Sequence, residues 1–243
     1  MAGESDDDDL LFGAASLPLE AFGAYSSAEE IQLVVANTTF CFQQQISTEN
    51  RKEPSVLLWN AAVSLANAWA RGALVQPCGL RVLDIGAGLG ICALAAAALG
   101  ATKVVATELP GVALDALQQS ILQNVERSGL KVPIEVFGLK WGLGQEGYLT
   151  SIAWDLVLCS DLIYSPELQR PLLRSLRHVV IPGHTKVLVA FERRGLEDDF
   201  FSAAHEQVGL EPLSITSAAD DALGVEFHLL ATPTGGLGGT AQA

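Results

Sequence analysis

Val82-Leu83-Asp84-Ile85-Gly86-Ala87-Gly88-Leu89-Gly90 runs from a short apolar strand into three alternating glycines, then into a helical pattern over residues 91–99 that Gly100 closes. A glycine-rich turn between strand and helix lets backbone come close to a ligand at the strand's carboxyl end. Glycine alone does not exclude a mere tight turn needing positive φ, but three alternating glycines directly after a strand favour the ligand reading. Spacing then sorts the ligands. The dinucleotide fingerprint GxGxxG needs its last glycine where Ile91 stands. A phosphate-cradling Walker loop needs Gly-Lys and then Ser or Thr after four intervening residues, and that sequence is missing here. What stands here is Asp-x-Gly-x-Gly-x-Gly, with the Asp84 carboxylate two residues ahead of the first glycine. A second carboxylate, Glu108, closes the next apolar run, 18 residues after Gly90. An acid in that place can accept hydrogen bonds from both hydroxyls of a ribose.

Outward from this turn the rhythm is regular. Strand signals at 81–85, 103–107, 134–138, 154–160 and 185–191 alternate with helical periodicity at 91–99, 112–127, 166–180 and 196–208. Weaker strand signals follow at 213–216 and 225–231. Alternation of this kind means an α/β fold, doubly wound, with a mostly parallel sheet and helices on both faces. The run 154–160 is nearly all apolar, as a strand buried on both faces should be. Ahead of this body, 31–36 and 38–46 are rich in β-branched and aromatic residues about Asn37, and a small hairpin is expected there. Pro54 is expected to open a helix that carries Trp59, Val63, Ala66 and Ala70 on one face and stops at Arg71-Gly72. Ser165 reads as an N-cap before Pro166, and Glu197-Asp198-Asp199 as a solvated helix start. The expected organisation is an acidic, partly disordered tail over 1–30, one domain over 31–232 and a Gly-rich tail over 233–243.

Composition bounds the function. Hydrophobic residues make up 49% of the 243 and charged ones 17%, which gives one sizeable core and excludes global disorder. Asp+Glu number 28 against Lys+Arg 14, a formal charge of −14, so phosphate backbones are poor partners and a basic peptide is not repelled. Cys41, Cys78, Cys92 and Cys159 lie far apart without a CxxC pair and read as small buried residues of a reducing compartment. His178, His184, His205 and His228 show no ligand spacing, so no metal site is expected. The acidic start lacks the basic region and apolar core of a signal peptide, and the longest apolar run is far short of the roughly 20 residues that span a bilayer. The expectation is a cytoplasmic protein, with the nucleus also open to it, and no membrane partner.

The combination of Asp84-x-Gly86-x-Gly88-x-Gly90 with Glu108 resembles the seven-stranded S-adenosylmethionine-dependent methyltransferases. Four more segments follow in order: Trp59-Asn60-Ala61-Ala62 before the loop, Leu139-Lys140-Trp141-Gly142, Asp161-Leu162-Ile163-Tyr164 and Phe191-Glu192-Arg193. Together they resemble the methyltransferase-like protein-lysine methyltransferases that act on chaperones, AAA ATPases and elongation factors. The resemblance covers roughly residues 38–232 and implies a seven-stranded sheet, S-adenosylmethionine as cofactor and a protein substrate presenting a lysine. It also implies roles for single residues. The loop from Asp84 through Gly86, Ala87, Gly88 and Gly90 faces the methionine and ribose, and Glu108 takes the ribose hydroxyls. Trp59 contacts the cofactor, Trp141 stacks near the adenine and Ser160 lies beside the adenosyl group. Two positions depart from the family, which often has Asp where Glu108 and Asn60 stand. Glu108 keeps two acceptor oxygens on a longer arm; Asn60 loses a charge.

Methyl transfer from a sulfonium is an in-line displacement, so alignment and desolvation are the enzyme's main work. A lysine acceptor must also lose its proton, and supplying the neutral amine at pH 7 costs about 4–5 kcal/mol. A rim carboxylate can capture the incoming ammonium, and an aromatic wall can hold the alkyl stem. Asp161 and Tyr164, after the fourth strand of the parallel series, are the expected catalytic pair, and Glu192 could be a second carboxylate on that rim. No basic stripe with interleaved aromatics is visible, and Asp161-Leu162-Ile163-Tyr164 lacks the prolines common where nucleic-acid amines are methylated, so no nucleic acid is expected. Two other functions fit the same residues: a small-molecule amine or heterocycle N-methyltransferase, and a catalytically silent binding module. The first normally builds a lid, for which residues 1–50 and the loop 142–151 are the candidates. A monomer is expected.

Overall fold

A computed structural model describes residues 30–44, 56–144, 146–217 and 224–233. The expectations for the two tails beyond these limits, and for a helix opened by Pro54, lie outside the described residues. In chain order the elements are β1 (Glu30–Val35), β2 (Thr38–Gln43), α1 (Asn60–Ala70), β3 (Arg81–Ile85), α2 (Ile91–Ala98), β4 (Lys103–Glu108) and α3 (Val112–Ser128). There follow β5 (Ile134–Gly138), α4 (Gly147–Thr150), β6 (Leu156–Ser160), α5 (Pro166–Val179), β7 (Lys186–Glu192), α6 (Glu197–Val208), β8 (Glu211–Ser217) and β9 (Val225–Ala231).

β1 and β2 pair antiparallel, and Ala36 and Asn37, at φ 49° and 63°, supply the two-residue turn between them. The hairpin's inner residues Ile31, Val35, Phe40 and Phe42 are buried. Asn124 of α3 clamps β2: its Oδ1 accepts the Cys41 N–H at 2.7 Å and its Nδ2 donates to the Cys41 carbonyl at 2.9 Å.

The main sheet has seven strands in the order β5-β4-β3-β6-β7-β9-β8. The five from β5 to β7 are parallel, and β9 runs antiparallel between β7 and β8. The chain therefore leaves β3 towards β4 and β5 on one side and towards β6 and β7 on the other. That makes the carboxyl end of β3 the switch point where ligands bind in open α/β sheets. Strand residues alternate between two cores: Val82, Leu156 and Leu188 face the side covered by α1, α2 and α3, while Leu83, Val157 and Val187 face α5 and α6. Both fully buried indoles find acceptors, Trp69 on the Val75 carbonyl at 2.7 Å and Trp154 on the Leu149 carbonyl at 2.8 Å, so neither leaves an orphaned donor. At the amino ends of β3 and β6, Arg81 grips Asp155, holding that carboxyl down to about 2 against the opposing effect of burial.

Several local expectations change. α1 begins at Asn60, because Trp59 is extended (φ −102°, ψ 146°) and the Leu58 N–H donates to Gln44 Oε1 at 2.7 Å instead of to a helical carbonyl. Ser165 precedes α5 as expected, but its hydroxyl donates to Glu167 Oε2 at 2.5 Å and makes no backbone cap. Cys92 and Cys159 are buried, whereas Cys41 is half-buried and Cys78 exposed; all four are free thiols.

Candidate active site

At the end of β3, Gly86 and Gly88 take φ values of 64° and 55°. A Cβ on Gly86 would lie 2.8 Å from Leu162 Cδ2 and 2.9 Å from Trp141 Cζ2, so only hydrogen fits beside those two side chains. The loop is tied to β4 through the Ala87 N–H on the Thr107 carbonyl and the Gly88 N–H on Glu108 Oε2, each at 2.9 Å. Glu108 Oε1 accepts the Leu109 N–H at 2.8 Å. Glu108 thus anchors the loop as well as standing where a ribose would be read; a carboxylate has about four lone-pair sites and can do both. Gly90, also left-handed at φ 82°, has a packing constraint besides: a Cβ there would strike Ile121 at 2.7 Å and Leu117 at 2.9 Å on α3.

Above the loop, a cleft of about 320 Å³, open to solvent, is lined by Leu57, Leu58, Trp59 and Ala62 on one side. Asp84, the segment from Gly86 to Leu89, Ile91, Cys92 and Ser160 line the other. Trp59, Asp84, Gly86, Ala87, Gly88 and Ser160 are thus brought together. Trp141 borders the cleft through Gly86, and Glu108 reaches it through Gly88. Among the described residues, both oxygens of Asp84 and Ser160 Oγ are buried without a hydrogen-bond partner, the Cys92 thiol being Ser160's polar neighbour. Burial pushes the Asp84 carboxyl up to about 8; the Ala93 backbone N–H, near but outside bonding geometry, draws it back, and the charge of Glu108 adds to the rise. Buried polar atoms without partners are costly unless a ligand supplies them. S-adenosylmethionine, with its ammonium and ribose hydroxyls, carries donors that suit these acceptors.

The other end of the cleft is built from side chains. Asp161 stands in the left-handed region (φ 57°), its N–H donating to the Ala190 carbonyl at 2.7 Å. Its carboxylate is almost fully buried, and the Arg194 guanidinium donates to both of its oxygens, at 2.5 and 3.0 Å. This corrects the expectation of a free rim carboxylate at Asp161: both oxygens are already occupied by a fixed cation. Tyr164 is half-buried, and burial, with the charges of Glu108 and Asp161, pushes its hydroxyl up to about 12. Glu197 is 2% exposed and accepts the Arg194 and Gly195 N–H groups, at 2.5 and 2.9 Å. It is a buried cap of the loop that carries Arg194, not a solvated helix start. Glu192 Oε1 accepts Asn60 Nδ2 at 2.6 Å, a bond that an ionised Asp at position 60 could not donate. Sequence reasoning missed Arg194; its only local sign is a second arginine after Phe191-Glu192-Arg193.

The loop considered as a lid runs elsewhere. Glu146 is buried against α5, accepting the Ser175 hydroxyl at 2.6 Å and meeting His178 Nδ1 at 3.1 Å. Tyr148 bonds Glu135 and reaches Lys103, the first residue of β4, whereas the cleft lies at that strand's carboxyl end. Among the described residues no three His, Cys, Asp or Glu side chains are grouped to hold a metal ion, and no helix is long and apolar enough to cross a membrane.

This strand order, with a glycine loop after β3 and an acid closing β4, defines the Rossmann-like methyltransferase class. Solved structures agree in fold: a putative S-adenosylmethionine-dependent methyltransferase from Streptococcus mutans superposes with a TM-score of 0.55 at 11% identity, over 84% of this chain and 56% of that one. Fibrillarin from Aeropyrum pernix, in complex with natively bound S-adenosylmethionine, gives 0.51 at 15% identity over 72% and 77%. A family model described as lysine methyltransferase matches residues 42–207, more than half of the chain, and the chain belongs to that family. Among its relatives are protein N-lysine methyltransferase METTL21A of Danio rerio, 32% identical over 60% of this chain and 65% of that protein. EEF1A lysine methyltransferase 3 of Mus musculus is 33% identical over 62% and 63%. The chain spans just under two thirds of the length of these relatives.

Proposed function

We propose that this chain is an S-adenosylmethionine-dependent protein-lysine N-methyltransferase. The observation that carries the reading is the coincidence of a lysine methyltransferase family match with a cleft whose buried Asp84 and Ser160 oxygens lack partners. When bound, the cofactor supplies an activated methyl group; what remains for the protein is binding, alignment and exclusion of water. Asp84, Gly86, Ala87, Gly88, Glu108 and Ser160 would hold it, with Trp59 and Trp141 as walls. Tyr164 would line the stem of the acceptor lysine. Asp161 is a positioning residue, whose pair with Arg194 fixes the turn that carries Leu162 onto Gly86 and Tyr164 towards the rim. The acceptor amine would have to arrive neutral, its proton passing to water at the open rim, while Tyr164 holds the alkyl stem in line.

The substrate we infer is a folded protein. Support comes from the lid candidate 142–151, which is pinned to α5 and to the far end of β4, leaving the small-molecule alternative without that cover. The name of the mouse relative makes elongation factor 1A the first substrate to test, ahead of chaperones and AAA ATPases. A monomer acting in the cytoplasm or nucleus is the accompanying proposal. The test is transfer of labelled methyl from S-adenosylmethionine into a lysate whose own methylation is blocked. Label in one or a few proteins as methyl-lysine is the expected result; label confined to small molecules would move the function to the alternative, and no cofactor binding would leave a silent module.

A further inference from the structure

The correction at Asp161 leaves the acceptor end without the carboxylate that should meet an ammonium, and the geometry points to Glu192 as that group. This rests on the lysine-methyltransferase reading and deepens it. Glu192 is the last residue of β7, two places beyond Ala190, which pairs in register with the cleft-lining Ser160. It is half-exposed, so an incoming chain can reach it. Oε1 accepts the Asn60 amide at 2.6 Å, and Asn60 directly follows the cleft-lining Trp59. Among the described residues Oε2 accepts no hydrogen bond.

The contrast with Asp161 decides between them. An ammonium that took Asp161 would have to displace a guanidinium bonded to both oxygens, in a site where the aspartate side chain is 4% exposed. Bidentate guanidinium–carboxylate pairs are among the strong hydrogen-bonded pairs, and an ammonium brings no matching fork. At Glu192 an ammonium displaces no bonded cation among the described residues: the Arg194 guanidinium feels the Glu192 charge but is bonded to Asp161. The Asn60 amide fixes the carboxylate while leaving one oxygen for the ligand, which is how a group that orients an acceptor should be held. Asn60 is therefore the positioning partner of Glu192.

The test compares the full-length wild type with Glu192→Gln and Asp161→Asn in three measurements: methyl transfer into blocked lysate over a range of lysate concentrations, calorimetric affinity for S-adenosylhomocysteine, and melting temperature. Glu192→Gln keeps the shape and the Asn60 contact but removes the charge. It is expected to slow transfer about 30-fold or more at low acceptor concentration, less at high, with cofactor affinity within about twofold. Its melting temperature should match the wild type, while Asp161→Asn should melt lower. Transfer by Glu192→Gln at the wild-type rate would overturn the assignment, as would a parallel collapse of cofactor affinity, which would place Glu192 in the cofactor site. A wild type that binds S-adenosylhomocysteine yet labels no protein would sink the lysine-methyltransferase reading itself, a result distinct from either.

Discussion

The two ends of the cleft are held in opposite ways. At the cofactor end, backbone sets the shape and buried side-chain oxygens of Asp84 and Ser160 face no partner. At the acceptor end, side chains set the shape and answer one another: Asp161 with Arg194, Glu197 with two backbone N–H groups, Glu192 with Asn60. The first end carries an unmet electrostatic demand that a ligand relieves. The second supplies its own counter-ion and leaves one oxygen of Glu192 for a visitor. Breaking the Asp161–Arg194 pair should therefore cost stability, whereas reshaping the glycine loop should cost affinity.

The most severe test is Asp161→Ala. It removes the carboxylate that the Arg194 guanidinium bonds twice, leaving that cation the more distant charges of Glu192 and Glu197. Losing charged hydrogen bonds in so closed a site costs about 2–3 kcal/mol. Urea unfolding should show that loss; a value below about 1 kcal/mol would mean the pair behaves as a surface ion pair and would break the contrast. Gly86→Ala should do the reverse. An added Cβ forces Leu162 and Trp141 back from the loop, and a misplacement of that order is expected to slow methyl transfer about 100-fold and to weaken S-adenosylhomocysteine, with the fold retained. Equal affinity would show that the loop is not the cofactor's seat.

The gentlest test is pH. The Asp84 carboxyl lies near 8 in the folded protein, above the ordinary carboxylate value of about 4. Between those values the folded form keeps a proton that the unfolded chain has released, so the cofactor-free protein should lose stability as pH rises from about 4 to about 8 and level off beyond. Asp155, held down to about 2, works the other way: its contribution is present above the ordinary carboxylate value and is lost only as pH falls towards that figure. Asp84→Asn should flatten the slope and raise the cofactor-free melting temperature near pH 8 while weakening the cofactor. Thermal melts across pH on both proteins would reveal an unchanged slope if Asp84 is not its source.

The pattern of success along the sequence follows the range of the forces involved. β4 and β7 were legible because each holds consecutive apolar or small residues between a lysine and a glutamate, and β3 and β5 because one acid, Asp84 or Glu135, interrupts an otherwise apolar stretch. The glycine loop was legible because its demands are local. The start of α1 was not, because a side chain from outside the helix, Gln44, takes the Leu58 N–H. Glu197 looked solvated from its acidic neighbours, yet two amides on the preceding turn bury it. The pairing of Asp161 with Arg194 joins residues 33 apart and leaves no periodic trace in either segment.

The bond between Asn60 and Glu192 spans 132 residues, whereas the bond that ties Gly88 to Glu108 spans 20. Closing the longer loop costs about 1–2 kcal/mol more in chain entropy, before neighbouring contacts repay it. It also waits until β7 has left the ribosome, well after β3 and β4 can pair. The tie between Gly88 and Glu108 can therefore close from β3 and β4 alone, whereas Ser160 on β6 and then Glu192 on β7 join the cleft later. The cleft is thus finished from its glycine end towards β7, and the wall that holds Asn60 to Glu192 is its last part to close.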